Sequence, residues 1–163
     1  MRQLNNTQFE ALVRLQWTVA EAVDDFEVFD EACRAADQCI GHKLFTILLL
    51  DSEAMEVQRL FSSNPSAYPP GGRKQKKDTL WGRKGLEAGE PYIGVSADDI
   101  RQHFHDHQVI LGLDLESILN MPIRLGGQTV GTMNLLDKAN SYSEEHLPVA
   151  ALLAGLIAAR IRS

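Results

Sequence analysis

Residues 115–136 have the sequence LESILNMPIRLGGQTVGTMNLL, and this stretch decides the fold. Two apolar-rich runs, 115–125 and 128–136, flank the pair Gly126-Gly127. Glycine readily adopts the positive φ angles that a tight two-residue turn requires. The segment therefore predicts two β-strands joined as a hairpin.

The register of this hairpin determines which side chains share a face of the sheet. If Leu125 pairs with Gln128, Asn120 lies opposite Met133, and Asn134 projects from the other face. The two asparagines can then line one cavity only if a bulge shifts the register. Because the neighbours of Asn134 on its face are apolar and typical of a helix-packing surface, we expect Asn120 to face the cavity.

The rest of the chain combines further strands with helices. An apolar run between Gly41 and Asp51 is typical of a central strand covered on both faces. Ser96, with Asp99 three residues later, marks the start of a helix. The predicted helices span 9–23, 26–39, 79–88, 97–103 and about 141–161, and the further strands span 44–50, 57–61 and 91–95. Terminal helices around hairpin-joined strands indicate an α+β fold with an antiparallel sheet.

The first helix has apolar residues at a three-to-four spacing, which predicts the face that it buries. Asn6 or Thr7 can cap its start, because a side-chain oxygen there accepts a free backbone N–H. The predicted buried face consists of Phe9, Leu12, Val13, Val19, Ala20 and Val23, with the polar Gln16 as an exception in the pattern.

The closing helix is apolar nearly all the way round between Leu147 and Ile161. A helix that covers one sheet face needs only a stripe of apolar residues, so the surplus predicts a second buried surface. A homodimer would bury it. The alternative is that the first helix covers it within one chain. Pro148 fits only the first turn of this helix.

Composition and charge exclude several classes of protein. The 163 residues are 44% apolar and 23% charged, which is ordinary globular composition. A net charge of -6 disfavours binding to nucleic acid or to anionic membranes. The chain has neither a membrane-spanning apolar run nor an N-terminal signal pattern, so we expect a cytoplasmic protein. Cys33 and Cys39 lie six residues apart in a predicted helix and cannot bridge, as suits a reducing compartment.

The hairpin and the text after it, 117–137 and 142–147, resemble the ending of GAF domains. That ending is a strand with a proline, a hairpin, a strand with an early glycine and a closing amphipathic helix. The segments 59–65, 68–69, 71–74, 104–107 and 110–112, together with Trp81, resemble a short, free-standing bacterial subgroup of the family. The resemblance covers roughly residues 33–160.

The resemblance implies a single GAF domain over 1–163, with N-terminal helices at 1–40, sheet and pocket loops at 41–140 and the C-terminal helix at 141–163. It implies a PAS-related antiparallel sheet with the terminal helices on one face. On the other face, a ligand pocket would be covered by loops and short helices. Members bind cyclic nucleotides, tetrapyrroles, haem, small anions or metabolites, and many dimerise through their terminal helices.

Residues that mark particular subsets of the family are missing from this sequence. It lacks the Asn-Lys-Phe-Asp-Glu signature of cyclic-nucleotide binders. No cysteine lies beyond Cys39, so none can attach a bilin in the pocket or act as the thiolate of a free methionine sulfoxide reductase. We therefore expect no catalytic residue and no cofactor.

The segment from His103 to His107 is the sharpest polar cluster. Two of its histidines share a face in either a strand or a helix, and with Asp106 they could ligate a metal ion. A metal site needs further supported ligands, and none is evident. We expect these residues to end a helix and hold a loop, with no bound metal.

The connection 62–78 is long, rich in glycine and proline, and basic in an otherwise acidic chain. Connections of this length are commonly functional, and their cations attract anions. Arg59 and Lys74 are the strongest candidates to bind one, and three aromatic residues could line the pocket. The predicted ligand-binding residues are Arg59, Phe61, Tyr68, Lys74, Trp81, Tyr92, His103, Asp106, His107 and Asn120.

The sequence thus predicts a sensor that binds a small anionic metabolite, forms a homodimer through its terminal helices and acts on an unidentified effector protein. It predicts no partnership with nucleic acid or membrane. Two alternatives stay open at this stage. One is a cryptic enzyme of the GAF fold, and the other is a dimerisation module with a vestigial pocket.

Overall fold

The structure is a computed structural model that describes residues 2–75, 86 and 88–161. Five α-helices and six β-strands are described in this part of the chain. The helices are α1 (Asn6–Glu21), α2 (Asp25–Cys39), α3 (Ala97–His103), α4 (His107–Gly112) and α5 (Leu147–Ile157). The strands are β1 (Leu44–Asp51), β2 (Glu56–Ser62), β3 (Arg73–Gln75), β4 (Tyr92–Gly94), β5 (Ser117–Leu125) and β6 (Gln128–Asp137). The helix predicted at 79–88 falls almost wholly outside the described residues.

The strands form one antiparallel sheet in the order β3-β2-β1-β6-β5-β4. The α+β fold class and the hairpin of β5 and β6 are confirmed. Strand β1 lies between β2 and β6, which agrees with the central position predicted from its apolar run.

One face of the sheet packs against α1, α2 and α5. This confirms the expectation that the terminal helices lie together on one face. Its core contains side chains such as Phe45, Ile47, Leu119 and Met133, all fully buried. We call this the helix face. Removing this many apolar side chains from water is the main stabilising contribution to the fold, at about 25 cal/mol per Å².

The opposite face packs against α3, α4 and the segment 64–72, and we call it the cavity face. Its smaller core includes Leu44 and Leu136 from the sheet, Ile100 from α3, Ile110 from α4 and the intervening Phe104. Helix α3 begins as predicted, because Ser96 Oγ accepts the backbone N–H of Asp99 at 3.3 Å. The short helix α4 was not predicted.

A bulge in β6 overturns the predicted hairpin register. Leu125 pairs with Gln128 as expected, but the register then shifts so that Arg124 pairs with Thr129 and Ile123 with Gly131. Val130 is the extra residue, and it moves every later pair by one position. Asn120 therefore lies directly opposite Asn134, and both project from the cavity face.

A second bulge separates Arg59 from Phe61, which the sequence had placed together in the pocket. Leu48 pairs with Arg59 whereas Ile47 pairs with Phe61, so Leu60 is the extra residue of β2. Arg59 points to the cavity face, and Phe61 is buried in the core of the helix face. The prediction that Phe61 lines the pocket is wrong.

Helix α1 buries only part of the predicted apolar face, since Leu12 is buried and Val19 packs against the core, whereas Phe9 and Val13 are exposed. Its N-cap is Asn5, one residue before the predicted caps, and Asn5 and Gln8 form a reciprocal capping box. The buried residues are Gln8, Ala11, Leu12 and Leu15. The small Ala11 allows close packing against α2, and the bulkier stripe turns outwards. Exposed apolar side chains on and after α1 are Phe9 at 61%, Val13 at 39%, Trp17 at 63% and Val23 at 97%.

The C-terminal helical region starts with a 3-10 turn at Glu144–His146, continues as α5 and ends in a second 3-10 turn at Ala158–Arg160. Pro148 occupies the first turn of α5, as expected. Arg160, in this second 3-10 turn, connects the C-terminal helical region to the junction of α1 and α2. It donates to the carbonyls of Val19 and Ala22 at 2.7 Å and pairs with Asp25 at 3.0 Å. None of the described helices is long and apolar enough to span a membrane.

Candidate ligand pocket

A cavity of about 50 Å³ lies between the cavity face of the sheet and its cover of α4, Phe104 and the segment 64–72. The lining is mostly apolar, with a few polar groups that converge on it, as is usual for small-molecule sites. The described lining residues are Leu44, Thr46, Leu48, Val57, Arg59, Tyr68, Gly72, Phe104, Asp106, Ile110, Ile118, Asn120, Asn134 and Leu136.

Arg59 brings a buried positive charge to this lining. Its side chain is only 7% exposed, and Nη1 donates to the carbonyl of Pro69 at 2.9 Å. The guanidinium carbon lies 4.7 Å from the ring centroid of Tyr68, a cation–π geometry. Its Nε, however, has no hydrogen-bond partner among the described residues. Burial lowers the pKa of Arg59, while the phenol of Tyr68 and the carboxylate of Asp106 act in the opposite direction.

The backbone beside Arg59 fixes the position of this side chain. Its N–H donates to the carbonyl of Gly72 at 2.9 Å, and its own carbonyl accepts the N–H of Gly71 at 2.7 Å. Gly71 has a φ of +87°, so the tight return of the chain needs glycine there. A Cβ on Gly72 would come within 3.2 Å of Arg59 Nη1. Because residue 72 has no side chain, the guanidinium of Arg59 has room to lie beside it.

Tyr68 and Asp106 form the second polar group of the lining. The Tyr68 hydroxyl donates to Asp106 Oδ2 at 3.1 Å. Burial raises the pKa of Tyr68, and Asp106 raises it further through its charge and this hydrogen bond. Tyr68 is thus a neutral donor at neutral pH. It ties the segment 64–72 to the start of α4 across the top of the cavity.

The floor of the cavity carries a buried amide network. Asn120 Nδ2 donates to Asn134 Oδ1, and Asn134 Nδ2 donates to Thr46 Oγ1 at 3.1 Å and to Thr132 Oγ1 at 3.3 Å. Asn120 is 2% exposed, and within the described part of the chain its Oδ1 has no partner. A buried acceptor without a donor costs about 1–3 kcal/mol, so this oxygen is poised to accept a donor.

The structure brings together four of the ten predicted ligand-binding residues, Arg59, Tyr68, Asp106 and Asn120. Their role in binding stays a prediction. Sequence reasoning missed Thr46 and Asn134. The signal for Asn134 was Gly131, because an isolated glycine inside a strand suggests a bulge. No comparable signal marked Thr46, which lies within a continuous apolar run.

Three other predicted residues lie outside the described lining. Tyr92 and His103 pack edge to face with ring centroids 5.0 Å apart, and His107 begins α4. Burial raises the pKa of Tyr92 to about 12. The last two predicted ligand-binding residues are Lys74 and Trp81. The side chain of Lys74 and the whole of Trp81 lie outside the described part of the chain.

The described residues contain no group of three or more His, Cys, Asp or Glu side chains placed to hold a metal ion. Cys33 and Cys39 are free thiols. Burial, with the nearby charges of Asp30 and Asp37, raises the pKa of Cys33 to about 12. The thiolate is the nucleophilic form, so Cys33 is a poor nucleophile at neutral pH.

Comparison with known proteins identifies the family. The family model described as GAF domain matches residues 24–162. The chain belongs to the GAF domain family. GAF domains are in general sensory or regulatory ligand-binding modules. No curated protein sequence matches the chain significantly.

Solved structures share the fold at low sequence identity. The GAF domain of a phosphoenolpyruvate-protein phosphotransferase from Coxiella burnetii has a TM-score of 0.78 and 19% identity, covering 96% of this chain and 95% of that chain. Its counterpart from Acinetobacter has a TM-score of 0.76 and 16% identity, with 97% and 94% covered. The free methionine-R-sulfoxide reductase from Neisseria meningitidis, in complex with its substrate, has a TM-score of 0.73 and 14% identity, with 99% and 93% covered. At these identities the likeness shows the fold alone.

Proposed function

We propose that this GAF domain is a regulatory sensor that binds a small anionic metabolite in the cavity beside Arg59. The observation that carries the proposal is the buried guanidinium, whose Nε has no partner among the described residues. Burying a cation is unfavourable unless it is paired and hydrogen-bonded. A carboxylate at Nε would supply both a charge and an acceptor.

The size and charge of the lining limit the ligand. A buried water molecule needs about 10–15 Å³ of cavity volume. A cavity of about 50 Å³ therefore has room for the equivalent of three to five waters. A nucleotide or tetrapyrrole is far larger. The charged groups of the described lining are one cation, Arg59, and one carboxylate, Asp106. A ligand with a single carboxylate group suits this balance better than a polyanion.

The chemistry of the lining favours binding over catalysis. Its polar side chains are two amides, one threonine hydroxyl, a neutral phenol and one ion of each sign. The two cysteines lie in α2, away from the described lining, and the buried Cys33 thiol is poorly nucleophilic. We therefore assign the domain a regulatory rather than an enzymatic role, with its output passing to an effector protein.

An exposed apolar stripe on α1 supports the accompanying proposal of a homodimer. Phe9, Val13 and Trp17 recur at four-residue spacing on one side of the helix, and all are well exposed. Helices α1 and α2 also contact α5, so part of the apolar surplus of α5 is covered within one chain. The surface left for a second copy is consequently centred on α1 rather than on α5.

Titration of the ¹⁵N-labelled protein with acetate, and separately with nitromethane, tests the function. The two probes have nearly the same shape and neither carries an N–H or O–H donor, but only acetate is charged. We expect acetate to shift the Arg59 Nε–H resonance and to bind at least about tenfold more tightly than nitromethane, because a charge-assisted hydrogen bond is worth about 1.5–3 kcal/mol. Equal affinities, or acetate shifts confined to surface residues, would refute the proposal.

A further inference from the structure

Asn120 sets a second condition that a ligand of the cavity must meet, separate from pairing with the charge of Arg59. Its Nδ2 is engaged by Asn134, and Asn134 is in turn held by Thr46 and Thr132. These contacts hold the amide of this lining residue and leave Oδ1 as its acceptor without a described partner. A carbonyl oxygen can only accept, so whatever binds there must donate an N–H or O–H.

The acceptor and the donor lie on opposite sides of the cavity. Arg59 is on β2 and Asn120 on β5, with β1 and β6 between them. Three interstrand spacings of about 4.8 Å, with an offset of two residues along the strands, place the two backbones about 16 Å apart, and both residues line the cavity between them. One small molecule can therefore contact both groups only if it carries complementary functions at its two ends.

We infer that the ligand is a short monocarboxylic acid with a hydroxyl or amino group, whose carboxylate meets Arg59 Nε and whose O–H or N–H donates to Asn120 Oδ1. This inference rests on the proposed function and names the class of metabolite. A cavity of about 50 Å³ suits a molecule of about four to six non-hydrogen atoms. Glycolate and glycine have this composition and size.

The same geometry explains how the site would reject simple fatty acids. A methyl group placed against Asn120 Oδ1 would leave that oxygen buried and without a donor. Sites built to hydrogen-bond a substrate hydroxyl discriminate strongly against analogues that lack it, because the buried polar group then stays unpaired. Acetate should therefore be a weak ligand of this site and an acid with a donor group a strong one.

Parallel titrations of the unmodified domain with glycolate, glycine and acetate, followed by the same NMR resonances, test this inference. We expect glycolate or glycine to bind at least about tenfold more tightly than acetate and to shift the Asn120 side-chain amide, whereas acetate shifts only the Arg59 end. The tighter of the two identifies whether the donor is a hydroxyl or an ammonium group. Equal affinities of all three acids would overturn the inference.

Two variants test whether Asn120 causes the preference for an acid with a donor group over acetate. Asn120→Leu removes the acceptor at similar side-chain volume. In this variant, the ratio of the affinity for glycolate or glycine to the affinity for acetate should fall to about one. In the control Thr129→Val, which makes the same change on the same strand but outside the described lining, the ratio should persist. A ratio that survives in Asn120→Leu would overturn the inference. If that variant does not fold, the ratios on the unmodified domain still decide. Failure of the proposed function is distinguishable, because acetate would then bind no better than nitromethane.

Discussion

Replacing Arg59 with methionine removes the charge of the pocket while keeping most of the apolar stem. The change deletes the Nη1 bond to the Pro69 carbonyl, the contact of the guanidinium with the Tyr68 ring, and the Nε donor of the cavity. The first two interactions hold the segment 64–72 onto the sheet. The third is the proposed contact to the ligand, so stability and affinity report different parts of this side chain.

The expected change in stability is small because opposing contributions nearly cancel. The charged hydrogen bond is worth about 1.5–3 kcal/mol, and the cation–π contact about 0.5–2 kcal/mol. Against them stands the desolvation of a guanidinium, which amounts to several kcal/mol. We expect a net loss of at most about 2 kcal/mol, or a Tm lower by at most about 8 °C in a domain of this size. The affinity for a carboxylate should fall by about 10–150-fold, since it loses a charge-assisted hydrogen bond.

Calorimetric or NMR titration with glycolate measures the affinity, and thermal unfolding followed by circular dichroism measures Tm. Arg73→Met is the matched control, because Arg73 lies on the neighbouring β3, pairs with Glu56 at 3.3 Å and is 56% exposed. It removes the same charge from the surface and should change the affinity less than about twofold. A large drop in Tm for Arg59→Met with unchanged glycolate affinity would show that Arg59 is structural, and the assignment of the site would be wrong.

Three further predictions concern the rest of the fold. If α1 forms a dimer interface, light scattering should give twice the 18.1 kDa chain mass, and Trp17→Glu should give the monomer mass; a monomer in both would refute the interface. Burial, aided by Arg2, lowers the pKa of His146 below its usual 6.5, so the unfolded chain takes up the proton first. The free energy of unfolding should therefore fall as the pH drops below about 6.5, and His146→Gln should flatten this part of the profile; an identical profile would contradict it. A Cβ on Gly131 would overlap the Leu48 carbonyl, so Gly131→Ala should lose about 1–3 kcal/mol or more in urea unfolding. Gly155 has open space around it within α5, so Gly155→Ala should gain about 0.5–1 kcal/mol, and equal effects of the two changes would refute this account.

The sequence was sufficient to predict the fold class and most of the secondary structure, but not the short elements α4 and β3. The reason lies in strong local signals, such as the glycine pair of the β5–β6 hairpin and Ser96 at the start of α3. Hydrophobic periodicity and turn chemistry act over a few residues, so they can be recognised without knowledge of the tertiary structure.

The composition of the pocket was less predictable, because it depends on which face each side chain occupies. One extra residue, Val130 in β6 or Leu60 in β2, reverses the face of everything beyond it. Asn134 was thus assigned to the wrong face, and Phe61 to the wrong core. Only Gly131 offered a warning, because its close approach to the backbone of Leu48 excludes any side chain.

The buried stripe of α1 shows a second limit of sequence patterns. Two apolar stripes run along this helix, and periodicity alone does not indicate which one faces the core. The stripe with Ala11 and Leu15 packs inwards, while Phe9 and Trp17 remain exposed. Tertiary packing favours the side that permits a close approach of α2.

A crystal structure of the domain grown with glycolate would show directly whether Arg59 binds a carboxylate. We expect the carboxylate within about 2.7–3.2 Å of Arg59 Nε, inside the cavity under Tyr68 and Asp106. A cavity that contains only water, with Arg59 Nε unengaged by glycolate at saturating concentration, would contradict it.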